Sequence, residues 1–150
     1  DWRIYSMENK ILEMEYVIEN GIEYEKLETE MFTEKLIDPE SEKGYTGLVY
    51  ESVSENQISG YSFYKDGYVS GIEVDFYLNG NIKRIINKKD GIADGEYKKW
   101  SEEGILIEER EYRLGICTKY RKYNRDGELI DEKKGPTDFE LEHIKNREKN

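Results

Sequence analysis

Residues 64–71, Tyr-Lys-Asp-Gly-Tyr-Val-Ser-Gly (YKDGYVSG), place an Asp-Gly and a second glycine within one octapeptide of a chain that has only two prolines. The pattern returns as NKKDGIADG at 87–95 and, with leucine for aspartate, as REYRLGICTK at 110–119. Gly67, Gly91 and Gly115 are therefore 24 residues apart, as are Gly80 and Gly104, and as are Gly47, Gly71 and Gly95. Three glycine series in step at one period are the mark of a repeat architecture, so the octapeptide is punctuation between units. A fourth unit is shortened, with Gly127 twelve residues after Gly115 where the earlier units use thirteen.

Each unit divides at its glycines into two runs of about six or seven residues, too short for two helices and suited to two strands. In 71–87, Ile72, Val74 and Phe76 alternate with Glu73, Asp75 and Tyr77, the period of a strand. A three-residue loop Leu78-Asn79-Gly80 with Gly80 left-handed predicts Phe76 opposite Ile82, Ile72 opposite Ile86 and Asp75 opposite Lys83. The expected fold is all-β: an elongated antiparallel meander of consecutive β-hairpins, closed by a short C-terminal helix. That helix is expected over about 138–147, because Thr137 and Glu140 form a capping-box pattern and Lys145, Arg147 and Lys149 come late.

The chain divides into an acidic N-terminal hairpin with its connecting loop (1–44), the repeats (45–134), and the helix with its tail (135–150). In ILEMEYVIENGIEYEKL, a three-residue loop ending at Gly21 pairs Ile18 with Ile22 and Tyr16 with Tyr24. It also gathers Glu13, Glu15, Glu19, Glu23 and Glu25 on the opposite face. A helix over 8–19 is the alternative, against which stand Val17 and Ile18 just ahead of Asn-Gly. Residues 31–44 read as an irregular connection with turn chemistry at Asp38-Pro39.

Of 150 residues, 36% are hydrophobic and 38% charged, a thin supply for a compact two-layer core, partly made good by thirteen tyrosines. The net charge of −11 is uneven: the first 60 residues hold 15 acidic and 5 basic side chains, the rest 19 and 18. This sign disfavours nucleic acid, whose phosphates need cations; it reads first as a solubilising surface and, more sharply, as an electrostatic landing area for a basic protein partner. Cys117 is alone, which excludes an internal disulfide and fits a reducing, cytoplasmic setting. No apolar run approaches the ~20 residues of a membrane-spanning helix. The chain begins at Asp1 rather than methionine, which leaves room for a leader ahead of it.

The unit YTGLVYES followed by GYSFYKDGYVSGIEVDFYLNGNIKRIINKKDGIADGEYKKWSEEGIL resembles the MORN-variant repeat of bacterial proteins often labelled antitoxins or immunity proteins. The likeness spans about 45–134 and rests on Tyr45-Thr46-Gly47, on Tyr64-Lys65-Asp66-Gly67 with Gly71, and on Lys89-Asp90-Gly91 with Gly95. It departs at Leu114, where the aspartate is lost, and at Lys119, where the next glycine should stand. The resemblance implies a hairpin meander serving as a scaffold for binding, and no catalytic residue belongs to the motif.

His143, the only histidine, falls in the C-terminal helix beside Glu142, and a Ser/His/Asp or Cys/His arrangement would have to use it. KKDGIADG lacks the alternating oxygen ligands of a calcium loop, and its aspartates read as turn residues. No glycine-rich phosphate loop appears. No cofactor or metal is expected, and no enzyme activity. The expected function is protein binding, as an immunity or antitoxin protein neutralising a basic toxin, with an envelope-associated scaffold as the alternative. Candidate contact residues are Glu13, Glu15, Glu19, Glu23 and Glu25 with the aromatics Tyr61, Tyr64, Trp100 and Tyr112. Most repeat aromatics are expected to stack on neighbouring repeats, leaving a minority for a partner.

Overall fold

Two kinds of glycine turn alternate along the chain and set its course, in a computed structural model that describes residues 11–150. At Asp66-Gly67, Asp90-Gly91 and Leu114-Gly115, both central residues of a two-residue hairpin loop have positive φ (+50 and +93, +51 and +80, +48 and +84). This handedness matches the twist of the flanking strands. At Gly80, Gly104 and Gly127 (φ +88, +90, +81) the loop has three residues. Each time the glycine N–H donates to the carbonyl three residues back, at 2.9, 3.0 and 3.1 Å.

These turns link β5 (Gln57–Lys65), β6 (Tyr68–Phe76), β7 (Ile82–Lys89), β8 (Ile92–Trp100), β9 (Leu106–Arg113), β10 (Ile116–Tyr123) and β11 (Leu129–Lys133), and β4 (Gly47–Ser54) joins β5 through Glu55-Asn56, a turn without glycine. Each pairs antiparallel with the next, the expected meander. Among the described residues a ninth strand, β1 (Ile22–Glu23), joins the sheet in parallel along β4, with Ile22 opposite Val49.

Phe76 lies opposite Ile82 as expected, but Asp75 faces Arg84, Glu73 faces Ile86 and Ile72 faces Asn87. The correction has one cause: Lys83 is a single-residue bulge that shifts the register beyond the turn. The same shift falls at Ile107, where Lys99 pairs with Glu108 and Trp100 with Leu106. It recurs at Ile130, where Lys122 pairs with Asp131 and Tyr123 with Leu129. Gly71 and Gly95 (φ +109, +111) sit in larger bulges on β6 and β8, where three residues oppose one. In β10 the corresponding bulge has only Thr118 as its extra residue, and this is where Lys119 replaces the glycine of the series.

The N-terminal hairpin is not formed. The alternative, a helix over 8–19, holds in part: residues 8–10 lie outside the described residues, and the helix that forms is α1 (Met14–Asn20). Met14, Val17 and Ile18 share one side of this helix, and Val17, fully buried, joins Leu48, Ile58, Tyr61, Phe63, Ile72 and Val74 in the main core. Burial of that stripe outweighs the strand preference of Val17 and Ile18. Gly21 marks no hairpin loop: its φ is −100. A Cβ there would come within 2.7 Å of the Val17 carbonyl and 3.2 Å of Leu48 Cγ, so the glycine serves close packing of helix against sheet.

Residues 24–45 cover the opposite face. A one-turn 3-10 helix (Tyr24–Lys26) leads to a small hairpin of β2 (Glu28–Thr29) and β3 (Leu36–Ile37), in a stretch read from sequence as irregular after Met31. Leu27, Leu36 and Val49 form a second core there, with Ile22, Tyr45 and Tyr64 packed on it. Leu48 and Val49 are consecutive on β4 and point to opposite faces, so the first strands are sandwiched. Beyond Ile86 the one buried hydrophobic residue among those described is Ile144 of α2 (Asp138–Glu148), which packs on β10, so the later repeats have no core cluster of their own and are covered only where this helix lies. The chain exposes 10098 Å² against roughly 8,000 Å² for a compact monomer of this mass. The expected capping box of α2 is present: Thr137 Oγ1 accepts from Glu140 N–H at 3.1 Å, and Glu140 Oε1 from Thr137 N–H at 2.9 Å.

Candidate functional site

The cross-strand row Tyr50, Tyr61, Val74, Ile85, Lys98, Glu109, Arg121, Glu132 changes character halfway along. Its apolar half lies under α1, while its charged half is open to solvent and floors a groove of about 620 Å³. Glu96, Lys98, Glu109, Glu111, Lys119 and Arg121 line that groove. Its ion pairs are loose, with Lys119 to Glu111 at 3.6 Å and Arg121 to Glu132 at 3.7 Å. Exposed pairs of this kind contribute little to stability. The groove is polar, balanced in charge and wide, unlike the apolar cleft a small molecule takes. Its signal in the sequence was a charge at every second position of β8 to β10, Glu96 and Lys98, then Glu109 and Glu111, then Lys119 and Arg121.

On the other face the row continues from Glu73 through Ile86, Tyr97, Arg110 and Tyr120 to Lys133. The Arg110 guanidinium lies 5.7 Å from the Tyr97 ring and 5.9 Å from that of Tyr120, and it is also bonded to Glu108. Arg84 binds Asp75 at 2.7 Å, and Lys88 binds Glu73 at 2.8 Å. Burial pushes the Asp75 carboxyl above its ordinary range, against the pull of Arg84. Arg84 and Lys88 are thus paired across strands, whereas Arg110 is paired along its own strand and lies over two rings.

The N-terminal acids behave differently. Glu13, Glu15, Glu19 and Glu25 are exposed and Glu23 is half-buried, and none of the five forms an ion pair among the described residues. They do not share one face as the hairpin register required. Glu15 and Glu19 stand one helical turn apart on α1, which covers one face of the sheet, whereas Glu25 precedes Leu27, which covers the other. The helix caused the dispersal.

Of the aromatic candidates, Tyr61 is 2% exposed and its hydroxyl accepts from the Leu12 N–H at 2.8 Å, so it belongs to the core. Tyr64 packs on the second core, where burial, then the charge of Glu73, pushes its phenol up to about 12. Tyr112 meets Tyr97 edge to face at 6.2 Å. Trp100 is half-buried, and its carbonyl accepts from the Tyr77 hydroxyl at 2.7 Å. Core packing or ring contact thus engages Tyr61, Tyr64 and Tyr112, three of the rings singled out for a partner, and Tyr61 in particular is too buried to meet one.

His143 is exposed, its ring 4.4 Å from that of Phe139. Asp90 lies in a hairpin turn, and Asp94 Oδ1 accepts from the Leu114 N–H at 3.1 Å, so both aspartates of KKDGIADG serve turns. Among the described residues no three His, Cys, Asp or Glu side chains are grouped to hold a metal, and no helix is long and apolar enough to cross a membrane. Comparison of the chain with protein-family models, curated proteins and solved structures finds no match.

Proposed function

We propose that the chain is a non-enzymatic protein-binding module built from MORN-variant-like repeats, acting as an immunity or antitoxin protein that neutralises a basic toxin by direct contact. The observation that carries this reading is the partition of charge. Residues 61–150 nearly balance, with 19 acidic and 18 basic side chains, while the first 60 hold 15 and 5, and Glu13, Glu15, Glu19 and Glu25 there stand exposed without an ion-pair partner among the described residues. An uncompensated negative field on a rigid sheet attracts a cationic protein surface and repels nucleic acid. The free thiol of Cys117 supports a reducing, cytoplasmic setting.

Such a field acts mainly on association. Reversing Glu15, Glu19 and Glu25 to lysine should slow binding to the product of an adjacent toxin-like reading frame about tenfold at low salt. The difference should close as salt rises and dissociation should change less. Association kinetics unchanged by the reversal across a salt series would overturn the reading. Absence of a toxin-like neighbour, with an operon of envelope proteins in its place, would favour the scaffold.

A further inference from the structure

The turn between β2 and β3 carries Met31 and Phe32 at its summit, 76% and 98% exposed. It is firmly founded. The Glu30 N–H donates to the Lys35 carbonyl at 2.9 Å, the Thr33 N–H to the Glu30 carbonyl at 3.3 Å, and Thr33 Oγ1 to Glu30 Oε2 at 2.7 Å. At its base Leu36 is 1% exposed, and its N–H donates to the Gly67 carbonyl at 2.8 Å, tying the turn to the first repeat. Phe32 is the third residue of the turn 30–33 and has φ +68, a position where turns take glycine or asparagine and where a bulky residue is an outlier.

Folding therefore gains nothing from this phenylalanine twice over: its ring buries no surface, and its backbone is in the left-handed region. Leu78, the neighbours Leu129 and Ile130, and Phe139 are also exposed, at 77%, 48%, 65% and 72%, but on backbone of ordinary φ. Single exposed apolar residues are commonplace, whereas an adjacent pair held out on a pinned, strained turn is the form of an interface anchor. Glu28, Glu30 and Glu34 are exposed around it. Three carboxylates disfavour an anionic lipid surface and complement a rim of lysine or arginine.

We infer that Met31 and Phe32 form an anchor that inserts into an apolar pocket, rimmed by lysine or arginine, on the protein partner. This deepens the proposed function and rests on it. The test places a photo-crosslinking benzoylphenylalanine at position 32 and, in separate chains, at 15 and at 121, in the native host, with each adduct sequenced by mass spectrometry. Position 32 should label one segment of one other protein, bordered by lysine or arginine. With that protein purified, Phe32→Gly should weaken binding about thirtyfold. Its melting temperature should be unchanged or higher, because glycine accepts the turn. An adduct to a second copy of this chain or to lipid, no adduct from 32, or an affinity within about threefold of the parent's would overturn the anchor. A protein adduct from 15 or 121 but none from 32 would leave the basic-partner reading standing, and no protein adduct from any position would overturn both.

Discussion

Leu114→Asn should stabilise the protein although it replaces an apolar residue with a polar one. The three two-residue turns have the same geometry, with first-position φ of +50, +51 and +48, but two carry aspartate there and the third carries leucine. An ordinary L-residue in the left-handed region costs about 1–2 kcal/mol, and asparagine much less. The backbone bonds of the position survive the change: its N–H donates to Asp94 Oδ1 at 3.1 Å and its carbonyl accepts from Arg147. The opposing term is burial. Leu114 is half-buried but joins neither core, so losing its contacts should cost under about 1 kcal/mol at ~25 cal/mol per Å². The balance is a gain of about 0.5–1 kcal/mol, or a rise in Tm of about 1–4 °C. Urea denaturation measures it, with an unchanged m-value showing that the unfolded state is not the cause. Asp66→Asn and Asp90→Asn are controls, expected within about 0.5 kcal/mol of the parent. A loss of stability in Leu114→Asn would mean that packing around the side chain, rather than backbone strain, governs these turns.

The raised phenol of Tyr64 makes stability fall in alkali: it is intact below the unfolded phenol pKa of about 10 and is lost as pH rises towards the folded value of about 12. Solvent access to the ring reduces the two-unit limit to about 1 kcal/mol, and Tyr64→Phe should flatten urea midpoints between pH 10 and 12 by that much; an unaltered slope would reassign it to Tyr45, Tyr61 and Tyr97, which burial also raises. Thr137→Ala removes the cap of α2 and should destabilise the helix by about 1 kcal/mol. Amide exchange should rise in residues 138–148 and stay constant in β5 to β8; acceleration through those strands would show that the helix supports the whole sheet.

The period was legible because left-handed backbone recruits glycine, and glycine is visible in a sequence. Gly67, Gly80, Gly91 and Gly104 therefore placed every turn between β5 and β9. Bulges were not read from the sequence: Gly71 and Gly95 stood out only as periodic punctuation and Lys119 as a break in their series, and the strand pairing shows that these positions are bulges. The single-residue bulges at Lys83, Ile107 and Ile130 have no positive φ and recruit no glycine, so counting from the turn put Ile86 opposite Ile72 instead of Glu73. The sequence did encode that pairing chemically, since Asp75 meets a cation either way, Arg84 in place of Lys83.

The N-terminal segment failed for the complementary reason, that glycine has more than one use. Asn20-Gly21 reads as a hairpin loop, but Gly21 lacks positive φ and is required by the approach of Val17, Tyr50 and Leu48. Only the tertiary contact distinguishes the two uses. The charge imbalance was legible in full, because counting needs no geometry, yet its distribution depended on whether the segment was strand or helix. With a helix, the carboxylates spread over both sides of the sheet's first strands, so the acidic region can orient an approaching cationic protein without itself supplying a single complementary face. The tight contact must then come from a feature with shape. Phe32 supplies one, and neither periodicity nor composition marks it: a phenylalanine among glutamates in an unpatterned stretch becomes conspicuous only when its φ and exposure are known together. In the proposed reading, steering charge and anchoring ring both lie outside the repeats, and residues 61–150 hold 19 acidic and 18 basic side chains, close to balance. On that proposal the 24-residue units are free to be selected for rigidity, while the segment that folds against them would carry recognition.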